Sequence, residues 1–269
     1  MLDIIKNAAK AAGEIQKTYF RQTELDVVQK TNHENIVTKV DLASQKIIHE
    51  YILKHTKEMG IDPADVGFIG EEDLRTTGDH MFIIDPLDGT SNFATGTEEF
   101  LVLVAYFFKG ELRSGVAYSP MKDYMYVAEK GAGAYAIKKG KRVEFHLRNV
   151  DLQNSFLLSS MSYHAEIQAG IPEITRALKP LFRGVRMYGC AGLELAFMLE
   201  GIAGVVVGYG VSIWDIAPGL LMLREVGYEL YDFQGKLVAF DLTQPKKTYP
   251  FLACHPDNKK EIMKRMQTY

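Results

Sequence analysis

Asp85 and Asp88 stand three positions apart at the end of an apolar run, and Gly89, Thr90 and Ser91 follow at once. Two carboxylates this close repel each other unless a cation lies between them, and hard oxygen ligands select Mg2+ or Mn2+ over Zn2+. Gly89 lets an oxyanion approach backbone N–H groups closely, and the hydroxyls of Thr90 and Ser91 can hold a phosphate or a water. Taken alone, an aspartate pair beside glycine also fits a turn whose side chains cap the next helix. Two further acidic motifs argue for the larger role. Gly70-Glu71-Glu72 follows an apolar run at 66–69, and Trp214-Asp215 closes the stretch after another at 203–207. Carboxylates at three strand ends read together as a metal and phosphate site, since open α/β sheets place their chemistry at strand ends.

Elements that could position these groups are visible in the periodicity. Ile4, Ile5, Ala8, Ala12 and Ile15 recur at helical spacing over 2–20, as do Leu42, Ile47, Ile48, Tyr51 and Ile52 over 41–57. The polar stretch 29–40 between them predicts a hairpin or mobile loop. Strands are predicted at 66–69, 81–84, 100–108, 114–118, 124–129 and 134–137, a largely antiparallel sheet behind the two helices. Pro86 is expected to end the strand at 81–84, so that Asp85 and Asp88 lie where the chain turns out of the sheet. After that, helices near 172–181, 191–200, 215–226 and from 256 alternate with strands at 203–207 and 251–254. The fold class is therefore α/β (α+β), with an N-terminal part over 1–145 carrying most of the acidic motifs. A smaller α/β part over 146–269 carries Asp215 and the substrate pocket.

The chain has 269 residues, 47% of them hydrophobic, enough for a sizeable core. Its net charge of -3, from 31 basic and 34 acidic side chains, creates no strong field for nucleic acid or an anionic membrane. Cys190 and Cys254 form no C-x-x-C pair, so neither a disulfide framework nor a zinc ribbon is expected, and a reducing cytoplasm fits best. Asp3 and Lys6 interrupt the first apolar turn, unlike a signal peptide, and the uncharged run at 201–214 is too short to span a bilayer. A soluble cytoplasmic protein is expected. The histidines show no ligand spacing, Cys190 reads as a small residue at a helix start, and Trp214 as a packing residue beside Asp215.

Gly70-Glu71-Glu72, the nine residues from Asp85 to Phe93, and the six from Trp214 to Gly219 together resemble the inositol monophosphatase family. The Val-Thr-Lys-Val-Asp stretch ending at Asp41 and the order and separation of the motifs agree with it over essentially the whole chain. The resemblance implies a layered αβαβα sandwich, Mg2+-dependent hydrolysis of a phosphate monoester, a homodimer, and inhibition by lithium. It implies that Glu71, Asp85 and the carbonyl of Leu87 hold a first metal, and that Asp85, Asp88 and Asp215 hold a second, with room for a third, weaker one through Glu71. Thr90, hydrogen-bonded to Asp41, would orient the attacking water with help from Glu71. Backbone around Gly89, Thr90 and Ser91 would bind the phosphate, and Gly189, Cys190, Ala191 and Lys30 would border the substrate.

The aspartyl-nucleophile phosphatases share a strand followed by aspartates, glycine and threonine, but their Asp-x-Asp-Gly-Thr spacing differs from that of Asp85 and Asp88 and leaves Glu71 and Asp215 unexplained. Two alternatives remain within or beside the family: a bisphosphate or nucleotide phosphatase, acting on fructose 1,6-bisphosphate, 3'-phosphoadenosine 5'-phosphate or NADP, and a regulatory binding protein with a secondary phosphatase site. Two departures carry expectations. Gly208 stands where inositol-preferring members carry a glutamate, and a glycine there is expected to open the pocket and flatten discrimination among esters. Pro218 is expected in the first turn of a helix starting near Asp215, where proline is tolerated.

Overall fold

The structure, a computed structural model, describes residues 1–22, 28–29, 36–161 and 171–266. Helices α1 (Leu2–Tyr19) and α2 (Lys39–Glu58) each bury one stripe, with Ile5, Ala8 and Ala12 on the first and Ile48 and Ile52 on the second. Between them β1 (Val28–Gln29) pairs antiparallel with β2 (Ile36–Val37). Lys30 lies outside the described residues.

The two stripes cover one face of a seven-stranded sheet. Its strands follow in chain order: β3 (Val66–Gly70), β4 (His80–Asp88), β5 (Leu101–Phe108), β6 (Glu111–Ser119), β7 (Tyr124–Glu129), β8 (Gly133–Lys138) and β9 (Lys141–Glu144). β3 and β4 are parallel and the other pairs antiparallel. Successive side chains point to opposite faces. Phe68, Phe82, Ile84, Val102 and Val104 therefore meet the opening helices, while Ile69, Met81, Ile83, Leu103 and Ala105 face the other way.

That second face packs on α5 (Ala191–Leu199) and α6 (Ile213–Val226), whose buried residues run round the whole helix, as expected for helices held between two sheets. Beyond them lies a five-stranded sheet in the order β11-β10-β12-β14-β13. It comprises β10 (Phe156–Met161), β11 (Gly184–Arg186), β12 (Ala203–Ser212), β13 (Glu229–Tyr231) and β14 (Thr248–Cys254). β10 runs parallel to β11 and β12, and β14 antiparallel to β12 and β13. Leu157, Val205, Val207 and Leu252 on its outer face pack against Leu178 of α4 (Ile171–Leu178) and Ile262 and Met263 of α7 (Lys259–Met266). The layers are α, β, α, β, α. No helix among the described residues is long and apolar enough to cross a membrane.

Two expectations are corrected. β4 does not end before Pro86: it continues to Asp88, which pairs with Leu101, through a register shift between Asp85 and Asp88. A bulge accommodates the missing donor of Pro86 and re-aims the acidic side chains. Pro218 is not in a first turn, because α6 begins at Ile213 and places it inside the helix. A proline there leaves the Trp214 carbonyl without its usual partner. Gly115 makes room for it, since a Cβ on Gly115 would lie 2.8 Å from Pro218 Cα.

Candidate active site

The bulged end of β4, the end of β3, and the N-termini of α5, α6 and the short α3 (Thr90–Thr95) surround a pocket of about 440 Å³. Glu71, Asp85, Leu87, Asp88, Gly89, Thr90, Ser91, Gly189, Cys190, Ala191 and Asp215 all line it. Eleven of the sequence-derived site residues thus meet in one place. Asp41 lies one contact behind them.

Each side chain is held by local backbone logic. Glu71 follows β3, and its amide donates to the Ile84 carbonyl of β4. Its neighbour Glu72 is fixed by Gln45 of α2, which accepts from the Glu72 N–H at 3.0 Å and donates to its carbonyl at 2.9 Å. Inside the bulge, the Leu87 N–H donates to Asp85 Oδ1 at 2.9 Å. Gln16 of α1, fully buried, donates to the Pro86 carbonyl at 2.6 Å. Gly89 turns the chain with φ +91°, and a Cβ there would lie 2.8 Å from the Glu99 carbonyl oxygen, so only glycine fits.

Thr90 Oγ1 stands 2.9 Å from Asp41 Oδ1 and 3.0 Å from the Leu87 carbonyl. Asp41 is itself fixed by a capping box: its Oδ2 accepts from the Thr38 N–H at 2.8 Å and the Thr38 hydroxyl at 2.5 Å. The cap role and the Thr90 contact use different oxygens of one carboxyl. Asp88 faces α5, where Oδ1 accepts from the Ala191 N–H at 3.1 Å and Oδ2 from Gly192 at 2.7 Å and the Cys190 thiol at 3.1 Å. A helix N-terminus favours a negative charge there. Asp215 Oδ2 accepts from the Ser212 N–H at 2.7 Å in a second capping box, at the start of α6.

Burial pushes the carboxyls of Asp85 and Asp215 well up, and their acidic neighbours push further. Burial also takes Asp88 up to about 6, against the pull of the Cys190 thiol and the Gly192 and Ala191 amides. Asp41 rises to about 6 for the same reason. Glu71, Asp88 and Asp215 each stand near enough to Asp85 to raise its carboxyl further. Carboxyl oxygens that close must share a proton or a cation. Among the described residues no Lys, Arg or His lines the pocket. An all-oxygen, four-acid set without an internal counter-charge fits hard divalent cations. Among the described residues no three acidic, thiol or imidazole groups stand as a closed metal cage, and Asp88 in particular is turned to the α5 amides.

The structure corrects the expectation that Gly208 opens the pocket. Gly208 lies in β12 opposite Phe251 of β14, and a Cβ on it would meet the Phe251 ring at 2.0 Å. Gly208 does not line the pocket. The ring fills the space a side chain would need, so glycine here accommodates packing and opens nothing. Trp214 packs against the central core as expected, and it also carries the Arg75 guanidinium 5.1 Å over its ring. Cys190 is the N-cap of α5, and both cysteines are buried and unbridged. Burial beside Asp88 holds the Cys190 thiol well above its usual range, which suits a packed donor rather than a nucleophile. Gln16, Gln45, Asn92 and Ser160 were not singled out from sequence as site residues; single polar residues in such segments give no sign of a partner far along the chain.

Comparison with known proteins agrees with this geometry. The model of the inositol monophosphatase family matches residues 1–268. The chain is 31% identical over 238 residues to the Nus factor SuhB of Xylella fastidiosa, covering 87% of this chain and 82% of that one. It is 31% identical over 211 residues to a fructose-1,6-bisphosphatase/inositol-1-monophosphatase of Thermotoga maritima, covering 78% and 77%. The solved structure of Thermotoga maritima IMPase TM1415 superposes with a TM-score of 0.83 at 26% identity, over 99% of this chain and 96% of that one. With the layered fold, the converging acids and a match over nearly its whole length, the chain belongs to the inositol monophosphatase family, metal-dependent phosphoric monoester hydrolases.

Proposed function

We propose that the protein hydrolyses a small phosphate monoester, inositol monophosphate or a related sugar phosphate, with Mg2+ held by Glu71, Asp85, the Leu87 carbonyl, Asp88 and Asp215. The observation that carries the reading is the pocket's charge: four acids line it, and among the described residues no basic side chain does. Bound there, Mg2+ supplies a more acidic water and neutralises charge on the phosphoryl group. Thr90, steadied by Asp41 at 2.9 Å, holds a water in place through its hydroxyl. Backbone N–H groups at Gly89, Thr90 and Ser91 face the phosphate oxygens from the start of α3. Gly189, Cys190 and Ala191 border the alcohol side. The same reading takes two Mg2+ ions with a weaker third through Glu71, inhibition by lithium, a homodimer, a cytoplasmic location, and a division into parts 1–145 and 146–269 that meet at the site.

Phosphate release from a panel of monoesters and bisphosphates, with Mg2+ and with chelator, tests this. Mg2+-dependent release from inositol 1-phosphate or a sugar monophosphate is expected. Turnover undiminished by chelator would defeat the reading, and release confined to bisphosphates would move the substrate to the family's other branch.

A further inference from the structure

Glu194 sits in the first turn of α5 and is fully buried. Its Oε1 accepts the Tyr188 N–H at 2.8 Å, and Oε2 accepts the Ser160 hydroxyl. Ser160 is the last residue but one of β10 and, like Gly189 and Cys190, lines the pocket. From the other side Asn92, also in the lining, donates to the Tyr188 carbonyl at 2.6 Å and the Glu99 carbonyl at 2.7 Å. The N–H and the C=O of Tyr188 are thus both held by side chains, and its ring meets Phe197 edge-on at 5.0 Å. Gly189 then turns with φ +65°.

A buried carboxyl is costly unless its hydrogen bonds are made. Burial pushes Glu194 up to about 8, against the pull of Ser160 and of the Tyr188 and Gly189 backbone. Nothing in the metal chemistry uses it. With the acids and the α3 amides assigned to metal and phosphate, Ser160 and Met187 join Gly189, Cys190 and Ala191 in the lining left to meet the alcohol.

We propose that Glu194 is a positioning residue for substrate selection, tying the Tyr188–Cys190 strap to Ser160 so that the wall meeting the alcohol is rigid and matched to a hydroxyl-bearing ester. This rests on the phosphatase reading above. Glu194→Gln keeps the shape but replaces one acceptor oxygen by an amide nitrogen, which donates and does not accept, so the side chain can accept from only one of its two partners.

The test compares inositol 1-phosphate and glycerol 2-phosphate with phenyl phosphate, whose alcohol carries no further hydroxyl. In Glu194→Gln, KM for the two polyol esters should rise about tenfold, with a smaller change in kcat, the scale of one buried hydrogen bond left unmade. The polyol-to-phenyl ratio of kcat/KM should fall by about the same factor. Ser160→Ala should lower that ratio as well, and it decides the matter if Glu194→Gln does not fold. A merely structural residue would lower all three esters together; an unchanged ratio in a parent protein that hydrolyses all three overturns the proposal. A parent inactive on every ester with Mg2+ removes the phosphatase reading first, and the positioning role with it.

Discussion

Thr90 has one hydroxyl proton and two acceptors within reach, Asp41 Oδ1 and the Leu87 carbonyl. Whichever takes the proton, the oxygen keeps a lone pair for a water, and on the proposed function Thr90 would act in the transition state more than in binding. Thr90→Ala should therefore lower kcat on the order of 100-fold, the usual scale of one lost preorganised hydrogen-bonding group, with little rise in KM. Steady-state kinetics check it; a raised KM with intact kcat would make Thr90 a binding residue only. Much of this site was legible as sequence because Asp85, Leu87, Asp88, Gly89 and Thr90 fall within one turn of chain, where spacing carries geometry. Glu194 was not legible. An acid among Leu193, Leu195 and Ala196 shows its purpose only once the fold brings Ser160 beside it, 34 positions away.

At the scale of elements, the long periodic segments were readable: both opening helices and most strands of the larger sheet fall within a few residues of expectation. β9 was missed because all four of its residues are exposed, so neither face signals burial. β11 and β13 have three residues each and α3 six, too short for a period to register. The bulge in β4 was missed because Pro86 reads as a strand terminator until Gln16 is seen holding its carbonyl. The turn that launches α3 is the element most exposed to substitution. Gly89→Ala would force a side chain into a left-handed conformation with its Cβ against the Glu99 carbonyl, costing about 1–3 kcal/mol. Chemical denaturation should show that loss together with weaker phosphate binding, and a variant as stable as the parent would mean the turn can relax into another form.

Over the whole molecule, the acids of the site link stability to pH and metal. Asp41 and Asp88 titrate near 6 in the folded protein against 3.8 for a free aspartate, and burial raises Asp85 and Asp215 as well. The folded state then binds protons more tightly than the unfolded chain. Their contribution to stability is fully present below pH 3.8 and is lost as pH rises through about 6. A cation replaces those protons, so Mg2+ should raise Tm more at about pH 8 than at about pH 5. Melting curves at both pH values, with Mg2+ and with chelator, measure this directly. An equal rise at both would mean that the ion binds away from these carboxyls.

The contact of Gly208 with Phe251 also orders the mutational paths open to this chain. Any side chain at 208 enters the Phe251 ring, so a larger residue there becomes acceptable only after position 251 has been made smaller. The two positions should be epistatic: Gly208→Glu alone is expected to impair folding, and the route from this protein to one with a carboxylate at 208 should run through β14 before it reaches β12.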